Sequence, residues 1–155
     1  MRAIHFASLV ALVATPFLTV AHADPTEDAI EARRAYFDLF GANIGPLAAM
    51  AKGELEYDAE RAMLHARNFA AIAAYDPTPH FLANTSNADV PGKTRALPSI
   101  WEDQAGFGEK IVGFQQAVEG LQGAAGAGRA ELGGAVQKLG ATCKACHDDF
   151  RAKDF

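Results

Sequence analysis

The chain has 155 residues and is acidic, with 19 Asp and Glu against 14 Lys and Arg and a formal net charge of −5. That balance argues against a nucleic-acid or anionic-membrane surface, both of which call for clustered Lys and Arg. The longest basic cluster, Arg151 to Lys153, is hemmed by acids and reads as a helix C-terminus complementing its own dipole.

The first 23 residues read as a leader rather than as part of the fold. Met1-Arg2 gives a short positive start, Phe6 to Val20 is apolar and uncharged, and Ala21-His22-Ala23 offers the small-x-small pattern that a signal peptidase cuts. The apolar stretch is about 15 residues, short of the roughly 20 that cross a bilayer as a helix. The expectation is a cleaved secretory signal over 1–23 and one exported, periplasmic domain over 24–155, one charge more negative once Arg2 is gone.

From there the sequence predicts helices and almost no strand, since no run alternates Val, Ile and Thr and alanine is abundant. The first helix is expected from about Thr26 to Ala51, with Glu27, Asp28 and Glu31 favouring its positive end. Ile30, Arg33, Phe37, Phe40 and Ile44 share one face by their 3–4 spacing. Gly45-Pro46 should kink or interrupt it, because proline lacks a donor and clashes with the preceding turn. A second helix should start after Asp58 and end before Asp76-Pro77.

Pro77 to Pro98 reads as one long crossover between two helix pairs. Ser99 with Glu102 suggests a capping box opening the third helix. Its stripe is Ile100, Phe107, Ile111, Phe114, Val118 and Leu121. After the turn at Gly123 to Gly128, Leu132, Val136, Leu139, Cys143, Cys146 and Phe150 follow at spacings of 4, 3, 4, 3, 4. The expected fold is all-α, an antiparallel four-helix bundle, with both cysteines on the inner face of the last helix.

Those two cysteines are the only ones, and histidine follows the second: Cys143-Lys144-Ala145-Cys146-His147. This spacing is the haem c attachment motif. Two thiols one helical turn apart can add to the two vinyl groups on one porphyrin edge, and His147, four after Cys143, can reach the iron as an axial ligand. Three other uses compete less well. A redox dithiol normally opens a helix after a strand, a disulfide within a regular helix has poor geometry, and zinc needs four ligands where no second cysteine pair exists.

A four-helix chain with this motif near its C-terminus resembles cytochrome c′. The likeness is carried by Gly140 to Arg151, by Leu97-Pro98-Ser99-Ile100-Trp101, and by the Arg33 region. It implies one covalent haem c whose iron is five-coordinate and high-spin, with His147 the only protein ligand. Matched from Arg33, the apolar side chain over the other face of the iron is Phe37, where leucine is commoner and low-spin relatives carry a ligating methionine. From the residues alone Phe37 is a core aromatic. Arg33, a charge on an apolar face, calls for an internal anion, and a haem propionate is the obvious one; a snorkelling surface arginine is the plainer reading. Arg34 and Thr94 match the same polar edge by position. Trp101 is read as haem-edge or core packing. Arg151, four after His147, falls where the family has an arginine near the iron, or else pairs with Asp148. Met50, Met63, His65 and His80 are read as ordinary packing or loop residues rather than sixth ligands.

Two functions follow. One is binding of small neutral gases, NO and CO, at an open iron site behind an apolar lid. The other is a simple electron-transfer cytochrome with a redox partner protein. The missing methionine at position 37 favours the first, and Phe37 offers no acid or base for a peroxidase-like enzyme. The resemblance also implies a homodimer formed through the first two helices.

Overall fold

Asp24 opens the first helix. Its carboxylate accepts from the Thr26 N–H at 2.9 Å, and Pro25 stands at the first position, where its missing donor costs nothing. The computed structural model describes residues 24–155; the leader expected over 1–23 lies outside them. Helix α1 runs Pro25–Lys52 and closes at Gly53, whose φ of 78° is left-handed. A Cβ there would also sit 2.8 Å from Arg129 Nη1, but that is the movable tip of a long side chain, so it is the left-handed backbone that calls for glycine.

The expected interruption at Gly45-Pro46 does not occur, and α1 passes through Pro46. Leu47 and Met50, just beyond it, have no exposed surface. Their burial outweighs the roughly 3 kcal/mol that an interior proline costs.

Asp58 caps α2, Ala59–Ala73, through the Arg61 N–H at 3.1 Å, as the sequence indicates. The crossover contains one 3₁₀ turn, Thr78–His80. The capping box at Ser99 is not formed. Ser99 lies inside a four-residue helix α3, Ser99–Glu102, and its hydroxyl donates to the Asp149 carbonyl at 2.8 Å, tying it to the last helix. The long third helix is α4, Gln104–Ala124, and its cap is Asp103, which accepts from the Gly106 N–H at 2.9 Å. Helix α5 is Arg129–Phe150.

The helices form a ring: α1 packs on α2 and α5, and α4 packs on the same two. At one end Tyr57, just before α2, donates its hydroxyl to the Ala125 carbonyl and accepts from the Gly128 N–H, both at 3.0 Å. At the other end Tyr36 meets Tyr75 at 5.9 Å between ring centres and Phe107 meets Phe150 at 5.2 Å. The starts of α1 and α4 therefore share an end with the finishes of α2 and α5, which makes neighbouring helices antiparallel. Among the described residues there is no strand, only an isolated bridge between Ala96 and Arg151. The core runs from Met50, Leu121 and Leu132 to an aromatic cluster in which Phe40 lies 4.6 Å from Phe69 and 5.2 Å from Phe114.

Candidate cofactor site

The cysteines lie on the last two turns of α5, both half-buried and neither in a disulfide. Cys143 packs against the core. Burial raises the pKa of both thiols, at Cys146 against the pull of the Lys110 charge. They are neutral thiols in an apolar setting, which is the opposite of an activated redox dithiol. Burial also lowers the pKa of His147, helped by the nearby Arg95 charge and opposed by Asp148. Its imidazole is thus neutral at neutral pH, the form that gives a lone pair to a metal. Among the described residues no three of His, Cys, Asp and Glu gather as a metal cluster.

Arg33 supplies a second clue. It is only 5% exposed, and one of its nitrogens, Nη2, donates to the Thr85 carbonyl at 3.0 Å. Nε and Nη1 are buried without a partner. The guanidinium stands 5.2 Å from the Phe81 ring centre and 5.9 Å from that of Trp101. Burial, with the neighbouring Arg34 charge, depresses its pKa. A snorkelling arginine would hold its head in water, so that reading fails. A buried cation with two idle donor nitrogens calls for an anion within reach.

The remaining residues divide. Trp101 donates its indole N–H to the Phe81 carbonyl at 3.2 Å and is part of the wall beside Arg33. Arg34 is exposed and donates to the Lys93 carbonyl, while buried Thr94 accepts from the Ala96 N–H at 3.2 Å, so both fasten the crossover. Phe37 departs from the core reading. It is 49% exposed, whereas Phe40, one turn on, is 8% exposed. Its edge meets Tyr36 at 5.2 Å, and much of the ring stands clear of the helices, as a side chain set against a bound group would.

Arg151 stands at the end of α5 as its cap rather than inside the helix. Helix α5 ends at Phe150, and Arg151 has extended backbone, φ −132° and ψ 125°. Its N–H still donates to the His147 carbonyl at 3.2 Å, so Arg151 stands one turn beyond His147, and the basic cluster from Arg151 to Lys153 begins at the helix C-terminus. The carboxylate of Asp148 pairs with Lys144 at 2.5 Å instead. The bridge to Ala96 draws the chain out of the helix here.

Of the alternative iron ligands, Met50 is fully buried and belongs to the end of α1 far from the cysteines. Met63 lies against Gly126, also at the far end. His65 holds Asn43 at 3.1 Å, and because the Asn43 amide donates to the Leu39 carbonyl, its oxygen faces His65 Nδ1–H. His80 is stacked on Tyr75 with its Nε2 on the hydroxyl at 2.5 Å. Phe81, Thr85 and Arg95 were missed by the sequence reading. They lie in the crossover, where no periodicity marks a buried position.

Paired thiols, a neutral histidine, a buried cation without an anion and a half-bare aromatic together fit one group, a haem. The fold and site are those of a helical-bundle c-type haem protein. Comparison with known proteins narrows the class. The family model of cytochrome c′ matches residues 28–151. A cytochrome c′ of Cereibacter sphaeroides is 46% identical over 153 residues, covering 99% of each chain. A solved Rhodobacter cytochrome c′ is 50% identical with a TM-score of 0.81, covering 84% of this chain and 99% of its own. Two leucine variants of the Alcaligenes xylosoxidans protein are each 32% identical. One, solved with carbon monoxide bound, has a TM-score of 0.72 and covers 84% of this chain and 98% of its own. The other, a nitric oxide complex, has a TM-score of 0.71 and covers 83% and 97%. The chain belongs to the cytochrome c′ family, and its cofactor is a covalently attached haem c.

Proposed function

We propose that this is an exported gas-binding haem protein. The thiols of Cys143 and Cys146 form the thioethers, His147 is the axial iron ligand, Arg33 holds a propionate, and Phe37 covers the other face of the iron. Haem supplies an iron that takes up one small ligand or one electron. The chain supplies its anchorage, a single strong ligand, and an apolar lid that excludes water and anions while admitting NO and CO.

The observation that carries this reading is the character of position 37: an apolar ring without a ligating atom, one turn beyond Arg33. Relatives solved with NO and with CO support the same use. Phe37 offers no acid or base at the iron, so no catalytic role is assigned. Electron exchange is the second reading, since a haem iron also cycles by one electron.

Export follows from the leader, whose removal after Ala23 leaves Asp24 in place as the α1 cap. No described helix is long and apolar enough to cross a membrane. Pairing of two copies through α1 and α2 is supported by Leu39 and Leu64, about half exposed beside the Asn43–His65 seam.

The test is spectroscopic. Ferrous protein without added ligand should show a broad high-spin Soret band that shifts on CO addition, and the colour should stay with the polypeptide after acid–solvent extraction. Sharp low-spin α and β bands at neutral pH would mean a sixth protein ligand and sink the gas-binding reading.

A further inference from the structure

Five cations of this acidic chain gather where the crossover meets the end of α5: Arg34, Lys93, Arg95, Arg151 and Lys153. Arg34 donates to the Lys93 carbonyl. Arg95 Nη1 donates to the Lys153 carbonyl at 3.4 Å, and the Arg95 carbonyl accepts the Ala152 N–H at 2.8 Å. Arg151 is bridged to Ala96. In their midst stands Phe155, 71% exposed, with the guanidinium carbons of Arg34 and Arg95 at 5.8 and 5.3 Å from its ring centre. Among the described residues, Lys93 alone of the five has a carboxylate within ion-pair reach, Glu27 at 3.2 Å.

Unpaired cations crowded together repel one another, and a net charge of −5 over the whole chain makes their segregation more pointed. An exposed aromatic flanked by arginines is the combination that carries binding energy at protein interfaces. The cations come from three separate segments, α1, the crossover and the end of α5, so they suit a broad partner rather than a small anion. Glu27, paired with Lys93, and Asp154, between Lys153 and Phe155, give a mixed pattern that suits directional pairing with a folded protein better than a uniformly anionic lipid sheet. The Arg151 N–H donates to the His147 carbonyl at 3.2 Å, so the patch begins one turn from the attachment motif.

We propose that this patch docks an acidic redox protein, with Phe155 filling an apolar recess and Arg34, Arg95, Arg151 and Lys153 meeting carboxylates around it. One electron then passes between the partner's centre and the haem iron, with no bond or proton exchanged. The proposal rests on the haem reading of Cys143 to His147.

The test uses the haem-loaded protein and an acidic [2Fe–2S] ferredoxin as probe, with electron-transfer rates measured at about 10 mM and about 0.5 M ionic strength. Lys153→Glu/Phe155→Ala should slow transfer about tenfold at low salt, and the gap should close at high salt, as steering by charge requires. Lys52→Glu changes the same charge at the far end of the bundle, where Lys52 is exposed, and should lose less than about twofold. Equal losses in the two variants, or no loss in the first, would overturn the docking face. So would tighter binding of the wild type to phosphatidylglycerol vesicles than to the ferredoxin, or a changed monomer–dimer balance in the variant by sedimentation. A CO difference spectrum separates the two readings. Its absence in the wild type removes the haem pocket and this proposal with it, whereas a normal spectrum with unchanged rates removes the docking face alone.

Discussion

Phe37 and Phe40 stand on one face of α1, yet they do different work. Phe40 is sealed among Tyr36, Phe69 and Phe114, while Phe37 keeps 49% of its surface exposed. A side chain so loosely held by protein can be moved, but only out of a staggered rotamer well, and off-rotamer torsions cost about 0.5–1.5 kcal/mol. Displacing it from a haem face adds lost contacts, and each 1.4 kcal/mol is roughly tenfold in affinity. Phe37→Ala is therefore expected to tighten CO binding to ferrous iron by one to two orders of magnitude on that scale. It should also admit water or small anions to the ferric iron. Its cost in stability should fall well below the roughly 3–5 kcal/mol of a buried Phe→Ala, since half the ring is already exposed. CO affinity and on-rate measured for both proteins at one pH decide the matter. Identical values would mean that another side chain is the lid and that the match from Arg33 is wrong.

At the scale of elements, the start of α4 cancels an ordinary propensity rule. Alanine is the better helix former by about 0.8–1 kcal/mol. At Gly106, however, a Cβ would lie 2.2 Å from Asp103 Oδ2 and 2.9 Å from its Cγ, and Asp103 is the cap. Gly106→Ala must shift that carboxylate from the N-terminal amides, so the cap's roughly 1 kcal/mol cancels the propensity gain and the variant should gain nothing, whereas Asp103→Ala should lose about 1 kcal/mol. Guanidinium unfolding with the two single variants and the double would show it. Effects that add in full would mean the two residues do not act through one another. The cap at Asp103 was not legible because Ser99 and Glu102 offered a better-looking one four residues earlier. What competed was tertiary: the Ser99 hydroxyl is held by the Asp149 carbonyl of α5. Pro46 failed as a breaker for a similar reason, the burial of Leu47 and Met50. The rest of the bundle was readable because its stripes keep a helical period, and the attachment motif because Cys143, Cys146 and His147 lie on one short stretch. The wall around Arg33 was not readable, since Phe81 and Thr85 reach it from an irregular loop some fifty residues away in sequence.

For the molecule as a whole, the two ends of the bundle are built unequally. The far end is closed by Leu47, Met50, Leu121 and Leu132, all without exposed surface, and by the double hydrogen bond of Tyr57. At the site end, protein alone leaves Cys143 and Cys146 half-buried, Phe37 half-bare and two Arg33 nitrogens without partners. A porphyrin adds several hundred Å² of apolar burial there, on the order of several kcal/mol at about 25 cal/mol per Å². Its propionates would also offer the anion that the two idle Arg33 nitrogens call for. That sum is comparable with the whole stability of a small domain, about 5–15 kcal/mol. The chain without haem should therefore be poorly folded, and unevenly so. Cys143→Ala/Cys146→Ala, which removes both points of attachment, should lose much of its helical circular dichroism. The amide protection that remains should be concentrated around Leu47, Leu121 and Leu132, while the last two turns of α5 and the crossover exchange at rates near those of an open chain. Hydrogen exchange resolved along the sequence is the measurement. Full helicity with uniform protection over α5 would show that the helices close on each other unaided, and that the haem is only a passenger in a finished bundle.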